Sequence, residues 1–257
     1  MNWRILDPDP EIVSSHIQEF HCTEIIAKIM ANRGINSFND SHSFFNPDLN
    51  LLHDPFLMKD MARAVDRVIL NIDKQSPILI FGDYDVDGTT AASVLYLALS
   101  SLGAIVSTYI PNRDKEGYGL SVQGIERAQA SGSDLIITRD CGINAFEQIN
   151  ISNSLGIDVV VTDHHVPGDI LPDAFAILNP QRTDCAYPFD SLCGSGVAFK
   201  LVHALIKKTG KELTSLLNLL DIVTLGTAAD FVPILDKNRI IVHYGIEQLR
   251  STTHLEI

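Results

Sequence analysis

The stretch Pro77-Ile78-Leu79-Ile80-Phe81-Gly82-Asp83-Tyr84-Asp85-Val86-Asp87-Gly88 begins with a short, continuous apolar run and ends with three acidic residues. From Asp87 to Leu102, small and apolar residues then recur at helical spacing. A short apolar run followed by such a segment is typical of a buried β-strand that leads into an α-helix. The stretch therefore predicts a strand, an acidic turn and a helix, in that order.

The same strand-and-helix unit recurs along the chain. Further strands are predicted at 104–110, 134–138, 157–162 and 175–178, with further helices at 121–131 and 143–155. Strands that alternate with helices favour a parallel sheet, and uniformly apolar strands indicate that helices cover both of its faces. The predicted fold class is α/β, with a doubly wound, mainly parallel β-sheet flanked by helices.

Two regions beside this pattern have a different character. Residues 1–60 are polar, helical in patches and interrupted by prolines, which predicts a helical N-terminal leader. After Asn179, the segments 196–208, 213–224 and 239–249 have apolar faces at helical spacing, so the C-terminal third is predicted to be largely helical. The main domain is expected to span residues 61–257.

Composition and charge limit the classes of protein. The chain has 257 residues, of which 46% are hydrophobic and 20% charged, as is ordinary for a globular protein. Its formal net charge of −13 opposes non-specific binding to a phosphate backbone, so any nucleic acid must be held locally. Bound divalent cations can reverse a local potential. The acidity is therefore compatible with a metal site, and equally with a soluble acidic surface.

The cysteines and the N-terminus bear on location. The 4 cysteines are irregularly spaced and form no Cys-x-x-Cys pair, which argues against a zinc knuckle and favours reduced thiols in the cytosol. The N-terminal residues contain no apolar signal segment, and no stretch reaches the roughly 18 apolar residues of a membrane span. A cytoplasmic location without membrane contact is the resulting expectation.

Acidic residues follow three of the predicted strands. Asp83, Asp85 and Asp87 come after the first strand, Asp140 after the third and Asp163 after the fourth. Because the carboxyl ends of parallel strands meet at one edge of a sheet, these acids are expected to converge there. Neighbouring ionised carboxylates repel one another unless a cation lies between them. The pattern predicts a metal centre, with a solvated acidic turn as the alternative for the first motif alone.

The residue types also indicate which metal is expected. Asp83-x-Asp85-x-Asp87-Gly88 resembles the opening of an EF-hand loop, but Val94 stands where that loop needs glutamate, and a strand precedes it instead of a helix. A mixture of aspartate and histidine suits Mn²⁺ or Mg²⁺, whereas structural zinc usually has cysteine ligands. We therefore expect Mn²⁺ or Mg²⁺, with Mn²⁺ preferred.

Two histidines and one further acid extend the candidate site. His164 and His165 follow Asp163 directly. Because consecutive side chains of an extended segment point to opposite sides, we expect one histidine to bind metal and the other to serve the substrate. Asp230 follows an apolar helix, at the end where the helix dipole disfavours negative charge. A compensating cation would explain it, and the residues alone leave a structural role equally open.

Other nucleotide-binding and hydrolase signatures are missing. The chain has no Walker A motif, no dinucleotide-binding fingerprint and no Gly-x-Ser-x-Gly elbow, which argues against the kinase, dehydrogenase and serine-hydrolase classes. Gly194-Ser195-Gly196 can cradle a phosphate or simply allow close helix packing. The loop 111–119 contains Asn112, Arg113 and Tyr118, which can hold a phosphate and stack a base.

Taken together, the motifs resemble those of a known family. The stretch 83–88, Asp140, Asp163-His164-His165 and Asp230 are similar to the four motifs of the DHH phosphoesterase superfamily. Within it, the segments 109–113, 116–120, 161–165 and 197–200 look specifically like the RecJ family of single-stranded-DNA exonucleases. The resemblance runs from about Asp60 to the end of the chain.

The resemblance implies how a metal centre would be built. It implies that two Mn²⁺ or Mg²⁺ ions are bound by Asp83, Asp85, Asp140, His164 and Asp230. Asp140 is the expected bridge, and two ions about 4 Å apart would activate water and stabilise the leaving oxygen. His165 joins this catalytic set through contact with phosphate. The predicted substrate contacts are Asn112, Arg113, Tyr118, His165 and Ser195.

The implied activity is hydrolysis of single-stranded DNA from 5′ to 3′ in DNA repair and recombination. Single-stranded DNA, single-strand-binding protein and a repair helicase are the implied partners. Two alternatives stay open: a DHH-family phosphodiesterase that acts on short oligoribonucleotides or cyclic dinucleotides, and a non-catalytic replication scaffold. The intact acids and histidines disfavour the scaffold.

The family also implies parts that this sequence does not show. A complete RecJ-like enzyme carries a second, substrate-binding domain and an oligonucleotide-binding fold, and neither is recognised before Ile257. We therefore expect the chain to be the catalytic half alone. Cys141 also stands where asparagine is expected in many relatives.

Overall fold

Five apolar segments form a parallel sheet in the computed structural model, which describes residues 4–252 and His254. The strand order is β2-β1-β3-β4-β5, and every neighbouring pair is parallel. The strands are β1 Ile78–Gly82, β2 Val106–Tyr109, β3 Leu135–Arg139, β4 Asp158–Thr162 and β5 Ala176–Leu178. The predicted α/β class with a parallel sheet is confirmed.

The chain divides into two compact units, residues 1–51 and 52–257. The first unit is helical, as predicted for the N-terminal leader. Its described helices are α1 Pro10–Phe20, α2 Glu24–Asn32 and α3 Phe38–Phe45, followed by a 3₁₀ turn at Leu49–Leu51.

The second unit contains the sheet and the remaining helices. In its first part these are α4 Met61–Lys74, α5 Val86–Ser101, α6 Arg113–Glu116, α7 Val122–Ala130 and α8 Phe146–Ser154. In its last part they are α9 Gly194–Lys208, α10 Leu220–Ala229 and α11 Asp236–Leu249. Among the described residues, no helix is long and apolar enough to cross a membrane.

Helices cover both faces of the sheet, which explains why its strands lack polar alternation. On one face α7 and α8 pack on a buried cluster that includes Phe81, Ile136 and Val161. On the other face α4, α5 and α9 pack against the strands, and α10 packs on α5 and α9. The carboxyl edge is consequently the place where side chains of this sheet can meet a ligand.

The strand order places a topological switch point between β1 and β3. The chain leaves β1 for β2 on one side and then returns to β3 on the other side of β1. In doubly wound sheets the crevice beyond the carboxyl ends at such a point is the usual ligand site. Gly82 of β1 pairs with Arg139 of β3, so the residues that follow these two strands emerge side by side.

The C-terminal third is helical as predicted, but the segment predicted as one helix at 213–224 is divided. Leu213–Leu219 forms a 3₁₀ helix, and α10 begins only at Leu220. The Ser215 hydroxyl donates to the Glu212 carbonyl at 2.7 Å. Such a local side-chain bond competes with regular helix formation, which accounts for the tighter first part.

Gly226 lets α10 approach the helices that surround the carboxyl edge. A β-carbon at this position would lie 2.2 Å from Ser195 Oγ, 2.5 Å from Thr90 Oγ1 and 2.7 Å from Asp87 Oδ1. All three atoms are side-chain atoms of α5 or α9, so a larger residue would push α10 away from both helices. Because Asp230 caps the end of α10, this close approach also sets the position of that carboxylate.

Replacing Gly226 by alanine is expected to lower the free energy of unfolding by about 1–3 kcal/mol, since overpacking forces the neighbouring groups to move. Urea titration followed by circular dichroism measures this change. Gly168→Ala is the matched control, because the nearest atom to an added β-carbon there is Ile170 O, at 3.9 Å. Equal stability of the two variants would contradict the packing argument.

Candidate metal centre

The carboxyl edge of the sheet gathers the acids that follow β1, β3 and β4. Asp83 follows β1, Asp140 follows β3 and Asp163 follows β4, and all three side chains are buried. Asp230 reaches the same place from the C-terminus of α10. The expected convergence of strand-end acids is therefore present in the structure.

A first group of carboxylates lies at the switch point. Oxygens of Asp83, Asp85 and Asp140 lie within 4.8 Å of one another. The Tyr84 amide donates to Asp83 Oδ1 at 2.7 Å, and the Gly88 amide donates to Asp85 Oδ1 at 2.7 Å, where Asp85 caps α5. Burial raises the pKa of Asp83, because desolvation disfavours its charged form.

A second group surrounds His164. Its Nε2 lies 3.0 Å from Asp140 Oδ1 and 3.8 Å from Asp87 Oδ2, and its Nδ1 lies 3.7 Å from Asp230 Oδ2. Ligand atoms of Asp87, His164 and Asp230 also lie within 4.8 Å of one another. Because His164 touches Asp140, which belongs to the first group, the two groups are adjacent.

Asp140 stands between these groups with an unsatisfied oxygen. Its backbone has a φ of 54°, in the left-handed region that non-glycine residues seldom adopt. Its Oδ1 is buried and, despite the nearby His164 ring, has no hydrogen-bond partner of suitable geometry among the described residues. Burial, reinforced by the charge of Asp87, raises the pKa of Asp140 to about 6 against the opposing influence of His164. A buried carboxylate oxygen without a donor is the kind of atom that a cation completes.

The donor set fits Mn²⁺ or Mg²⁺. The two groups offer carboxylate oxygens and imidazole nitrogen, which suit both ions. The structure therefore brings together the predicted metal ligands Asp83, Asp85, Asp140, His164 and Asp230. Their roles as ligands stay a prediction.

The Asp163 carboxylate accepts hydrogen bonds from the protein backbone. Its Oδ1 accepts the amides of His164 and His165 at 2.8 and 3.1 Å, and its Oδ2 accepts the Ile143 amide at 3.0 Å. His165 Nδ1 lies 2.7 Å from the same Oδ1. This contact with Asp163 raises the pKa of His165 to about 9, so the ring is protonated at neutral pH.

The two histidine rings lie side by side, so the premise that they point to opposite sides was wrong, whereas the assignment of one to metal and the other to substrate stays a prediction. Their centroids are 4.7 Å apart, and both rings approach Asp140 Oδ1, with a distance of 4.0 Å from His165 Nδ1. The strand ends at Thr162 and the chain bends at His165, so the alternation of an extended segment no longer applies. The 47% exposed side chain of His165 nevertheless leaves it open to a substrate.

Asp87 is one of the acids that were expected to converge here, but it was not among the predicted metal ligands. It is buried in the first turn of α5, and its Oδ1 accepts the Ser195 amide at 2.9 Å, while its Oδ2 accepts the Gly194 amide. These are amides of the first turn of α9, where the helix dipole favours negative charge. The signal was present as the third acid of the first motif, but its contact with α9 is not visible in the sequence.

The residues predicted to contact substrate lie at different depths. The Tyr118 hydroxyl donates to the Asp140 carbonyl at 3.1 Å, and the Arg113 guanidinium lies 5.2 Å from the centroid of the Tyr84 ring. Asn112 is exposed and caps α6. Ser195 is fully buried, with its hydroxyl 3.1 Å from Cys193 Sγ. The structure thus brings Tyr118 to the cluster and places Ser195 beneath it.

Comparison with known proteins agrees with this arrangement. Residues 77–227 match the family described as DHH family, N-terminal domain. The chain is 43% identical to the single-stranded-DNA-specific exonuclease RecJ of Bacillus subtilis, over 99% of this chain and 32% of that protein. It spans between 32% and 40% of the length of the first curated relatives it matches.

Solved structures give the same result. RecJ in complex with Mn²⁺ from Thermus thermophilus has a TM-score of 0.80 at 28% identity, covering 98% of this chain and 35% of that chain. Exonuclease RecJ bound to manganese has a TM-score of 0.70 at 32% identity, covering 79% of this chain and 50% of that chain.

Fold and site together define the class of protein. It is a doubly wound α/β domain in which groups of acidic side chains at the switch point lie close enough together to hold a metal ion. The family match covers more than half of the chain. The chain belongs to the DHH family.

The Asp163–His165 contact predicts a pH dependence of stability in the metal-free chain. A histidine pKa raised to about 9 contributes stability that is complete below the unfolded value of about 6.5 and is lost as pH rises through 9. Thermal melts in EDTA between pH 6.5 and 9.5 should show wild type losing more stability than His165→Gln. Since His164 remains in both chains, the difference isolates His165. Parallel losses would exclude the ion pair.

Proposed function

We propose that this chain is the catalytic part of a metal-dependent exonuclease that degrades single-stranded DNA from 5′ to 3′. The observation that carries the proposal is the pair of adjacent acid groups joined by the contact of Asp140 with His164 at the switch point. The similarity to RecJ proteins supports the choice of substrate, because those relatives are named as single-stranded-DNA-specific exonucleases.

We propose Asp83, Asp85 and Asp140 as the ligands of one ion, and His164 and Asp230 as ligands of a second. Asp140 would contribute to holding both ions, because its buried Oδ1 has no hydrogen-bond partner among the described residues and lies beside His164. Asp87 faces the second group as well, while its oxygens also hold the start of α9. Two Mn²⁺ or Mg²⁺ ions would supply the activated water and the stabilisation of charge on phosphate.

His165 would bind the scissile phosphate. Its ring carries a positive charge at neutral pH, is held by Asp163 and remains 47% exposed beside the cluster. A charge-assisted hydrogen bond from such a ring to a phosphate oxygen is stronger than a neutral one. The Asp163 carboxylate fixes the ring orientation, so that the proton on Nε2 faces away from Asp163.

The loop that follows β2 would contact the rest of the nucleotide. Arg113 lies over the Tyr84 ring. Tyr118 is exposed, and its ring lies nearly perpendicular to that of His165, with 6.2 Å between ring centroids. A guanidinium and an exposed aromatic ring are suited to a phosphate and a base, respectively. Asn112 belongs to the same loop. Ser195 is buried and its amide already donates to Asp87, so it would act on the substrate only indirectly, through the position of that carboxylate.

The further parts of the proposal concern the whole protein. We propose residues 61–257 as the catalytic domain, with substrate-binding and oligonucleotide-binding domains elsewhere in the complete enzyme. Roles in DNA repair and recombination, a cytoplasmic location, and single-strand-binding protein and a repair helicase as partners complete it. The similarity to RecJ proteins supports these statements.

The test is Mn²⁺-dependent digestion of 5′- and 3′-labelled single-stranded DNA, beside duplex DNA, short RNA and cyclic dinucleotides. Release from the 5′ end should fall by roughly 10³-fold or more in Asp140→Ala, because a bridging carboxylate would be lost. Asp73→Ala, which changes an exposed acid on α4, is the control and should retain activity. Cleavage of short RNA or cyclic dinucleotides alone would assign another DHH-family substrate.

The loop contact can be tested separately from the chemistry. Arg113→Ala should raise KM about tenfold, as loss of one charged phosphate contact predicts, while kcat and Mn²⁺ binding stay unchanged. Lys115→Ala is matched, since Lys115 is another exposed cation of α6. An equal effect of both variants would mean that only general positive charge matters.

A further inference from the structure

The last residue of β3 is an arginine without exposed surface. Arg139 is 0% exposed, although arginine is almost never fully buried unless it is paired. Its Nη1 donates to the carbonyl oxygen of Asp83 at 2.8 Å and to that of Gly88. Its Nε and Nη2 have no hydrogen-bond partner among the described residues. The guanidinium therefore contacts backbone oxygens and forms no direct ion pair with a carboxylate there.

The two acceptors flank one short segment, which we call the acidic loop, residues 83–88. Asp83 begins this loop and Asp85 lies within it, and both belong to the first acid group. Gly88 is in the first turn of α5. One nitrogen atom of Arg139 thus joins the two ends of the acidic loop.

Two glycines make room for this contact. A β-carbon on Gly82 would lie 2.3 Å from Arg139 Cγ, and one on Gly88 would lie 2.7 Å from the Asp83 carbonyl oxygen and 3.0 Å from Arg139 Nη1. Because Gly82 pairs with Arg139 across the β1–β3 ladder, the arginine side chain crosses β1 at this glycine. Glycine at positions 82 and 88 is therefore what allows the Arg139 side chain to reach the carbonyl oxygens of Asp83 and Gly88.

Charge favours the same arrangement. Burial lowers the pKa of Arg139 to about 10, against the attraction of nearby acids, so it stays protonated at neutral pH. The five carboxylates of the two acid groups and this guanidinium leave a formal charge of −4, which two divalent cations would neutralise. In the absence of metal, Arg139 supplies a buried positive charge beside the acidic loop, in addition to the protonated His165 ring at the cluster.

We propose that Arg139 is a positioning residue that holds the acidic loop, so that Asp83 and Asp85 converge with Asp140 before any ion binds. The inference rests on the proposed function only in treating these acids as ligands of one ion. The arginine touches neither substrate nor ion in this role. It acts through the backbone at Asp83 and Gly88.

The loop can be examined without metal by hydrogen exchange of the full chain in EDTA. The amides of Gly88 and Thr89 donate to Asp85, so they report on the closed loop. Arg139→Met should speed their exchange about tenfold or more relative to the exchange of the α9 amides. This is the change expected when local stability falls by about 1.4 kcal/mol. Arg139→Lys, which keeps the charge but has a shorter reach, should lie between wild type and Arg139→Met.

Arg67 offers a matched control at the opposite edge of the sheet. Its side chain is 10% exposed and donates to Asp158 and to the Asp134 carbonyl. Arg67→Met removes a comparable buried guanidinium and should leave the exchange of Gly88 and Thr89 unchanged relative to α9. Equal acceleration in the Arg67 and Arg139 variants would overturn the proposal.

Mn²⁺ titration by calorimetry supplies a second readout. Arg139→Met should weaken the binding of one of the two Mn²⁺ ions about tenfold, while the other ion binds as tightly as in wild type or more tightly. Loss of a positive charge alone would instead strengthen the binding of both ions. An equal change in the Mn²⁺ affinity of both sites would overturn the proposal. If Arg139→Met does not fold by circular dichroism, Arg139→Lys must show the same selective weakening. Absence of Mn²⁺ binding in wild type would reject the two-ion function, while exchange would still decide the role of Arg139.

Discussion

Repulsion among carboxylates gathered at one sheet edge is the constraint on which this structure depends. Parallel strands end together, so β1 and β3 bring Asp83 and Asp140 to the same point, and α10 adds Asp230. Backbone amides offset the repulsion: Asp85 accepts one from the first turn of α5, and Asp87 accepts two from the first turn of α9. The contacts that cap α5 and join it to α9 are therefore the same contacts that make a dense group of acids tolerable.

The sequence predicted the sheet well because its strands are short apolar runs bounded by turn residues. Such runs identify strands but not their order, since pairing depends on contacts far apart in the chain. The predicted strand at 104–110 is reduced to Val106–Tyr109, which is an edge strand with one neighbour. At 213–219, local hydroxyl bonding gave a 3₁₀ helix where apolar spacing alone predicted a regular helix.

The sequence predicted those parts of the site that follow from the position of a residue relative to its own strand or helix. Strand-end acids converge by topology, and the structure brings the five predicted ligands together. The contacts of Asp87 and Arg139 were not predicted because their partners are distant: Asp87 meets Gly194, 107 residues away, and Arg139 meets Asp83, 56 residues away. The arrangement of His164 and His165 was mistaken because an alternation valid within a strand was extended past its end, where the chain bends.

The origin of Asp230 on α10 has a consequence for the order of assembly. The first acid group is drawn from segments around β1 and β3, whereas the second is complete only after α10 has docked on α5 and α9. Contacts between segments so far apart form slowly, since a long loop must close first. A chain still emerging from the ribosome would accordingly have the first acid group without Asp230, and the proposed second ion could bind only once α10 has packed in place.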